Sequence, residues 1–190
     1  MLGWNGSDVG PSGIAAYDVA RSIDGQPFHL VASGVATPTL LAGLSAGHTY
    51  RYEVRARDKA GNIGYWTAGP TFRPSLAQQN SSFVKFYGPT KGTFSSHYSG
   101  GSERYLPAGS SATLKATVRS LSFVTAKGPG RGQVAVYVDG VHQATIDLGA
   151  ATTTYRYVAF SKTWYSAGTH TIKVVAVGGR VDVDAFGIIR

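Results

Sequence analysis

Two runs of β-branched and apolar residues flank Asp139-Gly140 in the stretch Val134–Leu148, and that pattern constrains the fold more than any other part of the chain. Asp-Gly between alternating apolar residues is a strong short-range signal for a two-residue hairpin, because a type I′ turn needs positive φ at both central positions. Val134, Val136 and Val138 fall on one face of the first run, with Ala135 and Tyr137 on the other. Elsewhere the pattern repeats as short alternating runs between turn residues. No stretch carries the 3.6-residue apolar spacing of a helix. The predicted class is all-β, in two β-sandwich domains.

At 190 residues the length suits one or two domains. No apolar run reaches the length of a membrane span. The absence of cysteine rules out disulfides, thiol chemistry and a Cys-ligated zinc site. No basic segment followed by an apolar one marks a signal peptide at the start. Met1-Leu2-Gly3-Trp4 reads instead as the middle of a domain, so the expectation is a fragment of a longer exported protein, truncated at its front. Charge is uneven. Residues 1–74 carry six basic and five acidic side chains, whereas residues 75–190 carry twelve and five. The twelve are dispersed, which suits solvated strand surfaces. A polyanion partner is the alternative.

In residues 1–74 the longest alternation is His48–Arg57, with Tyr50, Tyr52, Val54 and Ala56 facing in and Arg51, Glu53, Arg55 and Arg57 facing out. Trp4, the corner Gly43-Leu-Ser-Ala-Gly-His-Thr-Tyr50, the run Val54-Arg-Ala-Arg-Asp-Lys-Ala-Gly-Asn62, and Trp66 together resemble a bacterial fibronectin type III domain. In that family a corner tyrosine bonds back to its own loop, and Tyr50 is the match. The family's first strand, which would precede Trp4, is missing.

Residues 75–82 are polar and aperiodic and read as a linker. In residues 83–190 about eight short strands are expected. The segments Gly92–Tyr105, Ala126–Gly132, Tyr137–Gly140, Gly168–Ile172 and Val181–Phe186 are similar to those of the galactose-binding-like jelly-roll modules appended to bacterial secreted enzymes and surface proteins. The resemblance implies sugar held at loop edges on an aromatic platform, and a structural calcium in many members. Phe94 stands where such modules more often place Trp.

Three motifs need weighing against simpler readings. Gly43-Leu-Ser-Ala-Gly47 fits G-x-S-x-G, but a strand follows where a hydrolase elbow needs a helix. Lys127-Gly-Pro-Gly-Arg-Gly132 is glycine-rich but lacks the Gly-Lys-Ser/Thr ending and the helix of a phosphate loop. Its cations suit a uronic acid or another carboxylate, or simply solvate a turn. No Ser-His-Asp or paired-carboxylate arrangement stands out, so no enzyme is expected. His97 shares its loop with Phe94, Tyr98 and Tyr105, a mixture suited to stacking on sugars and bonding their hydroxyls. Lys162–Gly168 is a second aromatic loop, with Trp164 and Tyr165. Asp182 and Asp184 fall on one face of a single last strand with Phe186 and Ile188, where a carboxylate must be paired. Asp184 is expected to pin the 94–105 loop through Arg104 or backbone N–H groups. The rival is calcium, which takes about six to eight oxygens.

The expected function is non-catalytic binding of a polysaccharide or cell-wall glycan, as part of a larger protein acting outside the cell or at its surface. The contact set is Phe94, His97, Tyr98, Arg104, Tyr105, Lys127, Arg131 and Trp164, with Tyr50 and Asp184 structural. No cofactor is expected beyond a possible structural calcium, and nucleic acid is not an expected partner. The alternative is a structural role in a surface layer, fibre or phage-like particle, assembling with copies of itself.

Overall fold

The computed structural model describes residues 2–190. The fold is an all-β sandwich architecture, and among the described residues the only helical piece is a single 3-10 turn at Ser99–Gly101. The chain divides into two compact units, Met1–Pro74 and Ser75–Arg190.

In the first unit a four-stranded sheet runs in the order β3 (His29–Val35), β2 (Ile14–Ile23), β5 (Tyr50–Asp58), β6 (Thr67–Ala68). Beside it, β1 (Leu2–Gly3) pairs with β4 (Thr39–Leu40). Strand β2 runs antiparallel to β5 from Ile14 opposite Asp58 to Ile23 opposite Tyr50. The alternation of β5 buries Tyr50 and Tyr52, which close a core on Val19 with Trp4, Leu44 and Phe72 packed around it. Ser45 N–H donates to the Tyr50 hydroxyl at 2.9 Å, so the 43–47 corner is a turn feeding straight into β5. Asp18 points away from that core and is fully buried. Ser33 Oγ (2.6 Å), Arg55 Nε (2.9 Å) and Arg57 Nη2 (2.9 Å) all donate to it. Burial alone would raise its pKa, but the three donors outweigh that and hold the carboxyl well below the usual range.

In the second unit a seven-stranded sheet has the order β13 (Val141–Asp147), β12 (Gln133–Val138), β14 (Thr154–Gly178), β11 (Ser111–Lys127), β16 (Ala185–Ile189), β7 (Pro74–Gln78), and β8 (Val84–Tyr87) also pairs with β11. A three-stranded sheet, β15 (Val181–Val183), β10 (Ser102–Leu106), β9 (Lys91–Phe94), faces it. Leu106, Leu114, Phe123, Val136, Ile172 and Phe186 lie in the core between them.

Four features differ from the sequence reading. The strands are not all short: β11 has 17 residues and β14 has 25. Register shifts along their ladder let each bend and continue where a strand would otherwise end. Tyr155–Phe160 and Thr169–Val177, which their alternation reads as two of the short strands, are therefore one strand, with Trp164–Ala167 bulging out where Val118 opposes Gly168 and Ser120 opposes Thr163. Residues 75–82 are not free chain, because β7 occupies their first half and Ala77 and Gln79 are buried. Main-chain pairing needs no apolar periodicity, so composition concealed it. Residues 181–189 are two strands. At Asp184 the chain passes from the small sheet to the large one, so Asp182 and Phe186 belong to different sheets.

The Asp139-Gly140 turn has φ of 51° and 81°, the left-handed pair a type I′ turn demands, and joins β12 to β13.

Candidate functional site

The chemistry of the second unit gathers on and beside the three-stranded sheet. Arg104 and Leu106 of β10 alternate with Glu103 and Tyr105, and Tyr105 stands opposite Asp182 of β15. Since Leu106, Val181 and Val183 take the core side, Glu103, Tyr105 and Asp182 share the other face. Glu103 and Asp182 are nonetheless buried. Two arginines and a tyrosine cover them. Arg131 Nε donates to Asp182 Oδ2 at 2.8 Å and Arg180 Nη2 to Glu103 Oε1 at 2.9 Å. Arg180 Nε bonds Asp182 Oδ1, and its guanidinium lies 4.4 Å over the Tyr105 ring. The Tyr98 hydroxyl donates to Asp182 Oδ2 at 3.2 Å. Burial, then the Asp182 charge, pushes the Tyr98 phenol up to about 12 and the Glu103 carboxyl up to about 7. This network is a floor of paired charges. Each charge is tied to another, which is the condition on which buried charge is tolerated.

Asp184 lies beside this floor. Its Oδ1 accepts the Ser99 N–H at 2.8 Å, anchoring the 95–101 loop from a residue 85 positions away. Burial pushes its pKa up to about 6. The Asp184 contact is with backbone N–H, while Arg104 is engaged elsewhere, 4.8 Å over the Phe86 ring. Asp184 Oδ2, Gln78 Oε1 and Gln79 Oε1 are buried without a hydrogen-bond donor, and the Gln79 N–H meets Asp184 O at 3.3 Å. Oxygens of this kind are what calcium takes. Among the described residues, however, no three His, Asp or Glu side chains converge as metal ligands.

Above the floor stands a rim. Arg156 Nη2 donates to Ser96 O (3.0 Å) and its Nε to His97 O (3.1 Å), clamping the loop's carbonyls. His97 stacks on Tyr155 with ring centroids 4.6 Å apart and planes at 21°, and Tyr98 meets Tyr155 edge-on at 5.2 Å. Lys127 Nζ sits 5.8 Å over the Tyr157 ring. His97 and Arg156 are exposed, Tyr155 half-buried. Arg156 has φ of 53°, a left-handed conformation that costs an ordinary residue about 1 kcal/mol and that its clamp stabilises.

Of the eight expected contact residues, the structure brings His97 and Lys127 to this rim. Phe94 is 90% exposed at the base of the same loop. Tyr98 and Arg131 are corrected: Tyr98 is buried, and Arg131 is committed to Asp182, so neither is free for a ligand. Tyr105 and Arg104 are likewise occupied, by Arg180 and Phe86. Trp164 is not a neighbour of the others. It lies near Ser120, seven residues along β11 from Lys127 and therefore roughly 23 Å away. There it stacks on His170 at 3.6 Å, while Tyr165 beside it is 99% exposed. Tyr155, Arg156 and Arg180 were not foreseen. The run Thr-Tyr-Arg-Tyr read simply as alternating strand, and no local signal marks an arginine that closes on a loop some 59 residues earlier.

No family model matches the chain. Stretches of it are similar to two curated proteins of Cellulomonas fimi. One is endoglucanase B, 43% identical over 72 residues, which are 37% of this chain and 7% of that protein. The other is exoglucanase B, 43% identical over 68 residues, 33% of this chain and 5% of that protein. The chain thus spans less than a tenth of each. Among solved structures, an exo-β-1,3-galactanase of Phanerochaete chrysosporium is 16% identical with a TM-score of 0.46, covering 74% of this chain and 38% of the other. A family two carbohydrate esterase of Cellvibrio japonicus is 13% identical with a TM-score of 0.47, covering 62% and 34%.

Proposed function

We propose that the chain is a non-catalytic glycan-binding portion of a larger secreted protein, a fibronectin type III-like unit carrying a jelly-roll module that binds sugar at the rim formed by His97, Tyr155, Arg156 and Lys127. The observation that carries this reading is the stack of exposed His97 on half-buried Tyr155, in a loop whose carbonyls Arg156 clamps and beside a floor of paired charges. A sugar offers an apolar C–H face and a ring of hydroxyls. A preformed aromatic edge on a loop that Arg156 holds in place, with the Lys127 ammonium on the same rim, fits both, and little ordering cost attends binding because the loop is already tied down. The similarity of stretches of the chain to two glucanases, of which it spans a small fraction, supports a role alongside a catalytic domain. Glu103, Asp182 and Asp184 are buried, two of them in ion pairs with arginine, which supports a binding role over general acid–base work.

Isothermal titration with cellohexaose and mixed-linkage β-glucan tests it. Millimolar to micromolar binding is expected, with at least a tenfold loss in Tyr155→Ala and in Arg156→Ala and little change with salt. Hydrolysis of either sugar, or binding untouched by both substitutions, would overturn the reading.

A further inference from the structure

Where β8, β11, β14, β12 and β13 lie side by side, the seven-stranded sheet turns one face to the core, and its register assembles a line of side chains on the other. Lys85 of β8 stands opposite Thr113 of β11, Thr113 opposite Lys173 of β14, Lys173 opposite Tyr137 of β12, and Tyr137 opposite His142 of β13. Directly opposed residues in antiparallel ladders share a face. On β8, β11, β14 and β12 the neighbours Val84, Leu114, Ile172, Val174, Val136 and Val138 are buried in the core. Lys85, Lys173 and His142 are exposed, Thr113 and Tyr137 half-buried. Two residues along β11 from Thr113, Lys115 is exposed on the same face.

This face is also grooved. An open hollow of about 570 Å³ is lined by Thr113, Tyr137, Gly140, Thr171, Lys173 and Val175. Among the described residues, Lys85, Lys115 and Lys173 take part in no ion pair. The nearby acid, Asp139, is already spent on the Thr171 N–H (2.8 Å) and His170 Nδ1 (2.7 Å). Lys85 and Lys173 flank β11, so their backbones stand two strand spacings, about 10 Å, apart. The face is thus a shallow trough with uncompensated cations at intervals, threonine hydroxyls between them and one tyrosine ring.

We infer that this trough is a second binding surface, separate from the loop rim, and that it takes an anionic polysaccharide whose carboxylates recur along the chain, a polyuronate. The lysines meet successive carboxylates as point charges. Tyr137 packs against the C–H face of an intervening sugar, and Thr113 and Thr171 bond hydroxyls. Successive bases of a single-stranded nucleic acid stack on successive aromatic rings, and this line presents one tyrosine, Tyr137.

Titration of the whole chain with polygalacturonate, with its methyl-esterified form, and with duplex DNA, each at two salt concentrations, tests the inference. Polygalacturonate should bind. Esterification, which removes the charge and keeps the backbone, should abolish binding. Lys85→Gln/Lys173→Gln should weaken it at least tenfold and reduce the slope of log K against log salt by about two. Both lysines are exposed, so the melting temperature should not move. Equal binding of the esterified polymer, tighter binding of DNA, or wild-type affinity in the double variant would each overturn the proposal. So would loss of polygalacturonate binding in Tyr155→Ala, which would put the anion at the rim. Failure here leaves the rim reading standing, since that is read from neutral glucans.

Discussion

Gly132 shows how a residue's role can hide behind its neighbours. In sequence it closes a flexible-looking cationic loop. In the structure a Cβ there would lie 1.5 Å from the Gly178 carbonyl oxygen, because the 127–132 loop passes directly over the Gly178–Gly179 turn. Its N–H donates to Arg180 O at 2.9 Å, and its carbonyl accepts from Leu148 N–H at 3.0 Å. Gly132 therefore holds Arg131 and Arg180 in reach of Asp182. Gly132→Ala has no small relaxation available, so it should cost about 3 kcal/mol or more by chemical denaturation. The control Gly130→Ala should cost only about 1 kcal/mol, since its φ of 71° is strained but nothing lies within 4 Å. Equal effects would show that the close approach is not the cause. Tyr98 teaches the same lesson in reverse. It looks like a ligand platform because its loop is rich in aromatics, yet its partner Asp182 is 84 residues away and no local pattern announces it.

At the scale of elements, the legible parts were those governed by neighbours in sequence. The β12–β13 hairpin could be read because two turn residues and two alternating runs determine it. The length of β14 could not, because its continuity depends on β11 lying beside it through three irregularities. The same Asp-Gly turn has a further use visible only in space. Asp139 grips the Thr171 N–H and His170 from the next strand, and in the first unit Asp24 grips the Thr49 N–H (2.8 Å) and His48 (2.6 Å) in the same way. Each turn is thereby latched to a His-Thr pair, within β14 in the second unit and just before β5 in the first. Asp139→Ala should cost about 1–2 kcal/mol, the usual effect of leaving a capped N–H unpaired. Asp139→Asn should recover a good part of that, because its side-chain oxygen still accepts from Thr171. If Asn is no better than Ala, the His170 contact is the stabilising one.

At the scale of the whole molecule, the two units should answer pH in opposite directions. In the second, the carboxyls of Glu103 and Asp184 are raised to about 7 and about 6 from 4.5 and 3.8, so the folded state holds protons the unfolded chain releases. Their contribution is full below about pH 4 and is lost as pH rises through 6 to 7. In the first, Asp18 is depressed from 3.8, so its contribution is full above that value and is lost as pH falls below it. Calorimetry should show two transitions. The second unit's transition should fall in temperature between about pH 5 and 8, and Glu103→Gln should flatten that fall. The first unit's should fall only at strong acid. A single transition, or a second-unit melting point that rises across neutral pH, would contradict this assignment.

The first and last strands of the second unit also lie side by side. Gln79 N–H meets Asp184 O, and Leu76 sits against Gly187, so β7 and β16 run antiparallel and their outer ends come together. Tension applied at those two ends would therefore part the strands one rung at a time, like a zip opened from its tab. It would not load the whole ladder at once. Such an arrangement is mechanically soft. It would yield at modest force by releasing β7, while the long β11–β14 ladder stayed closed.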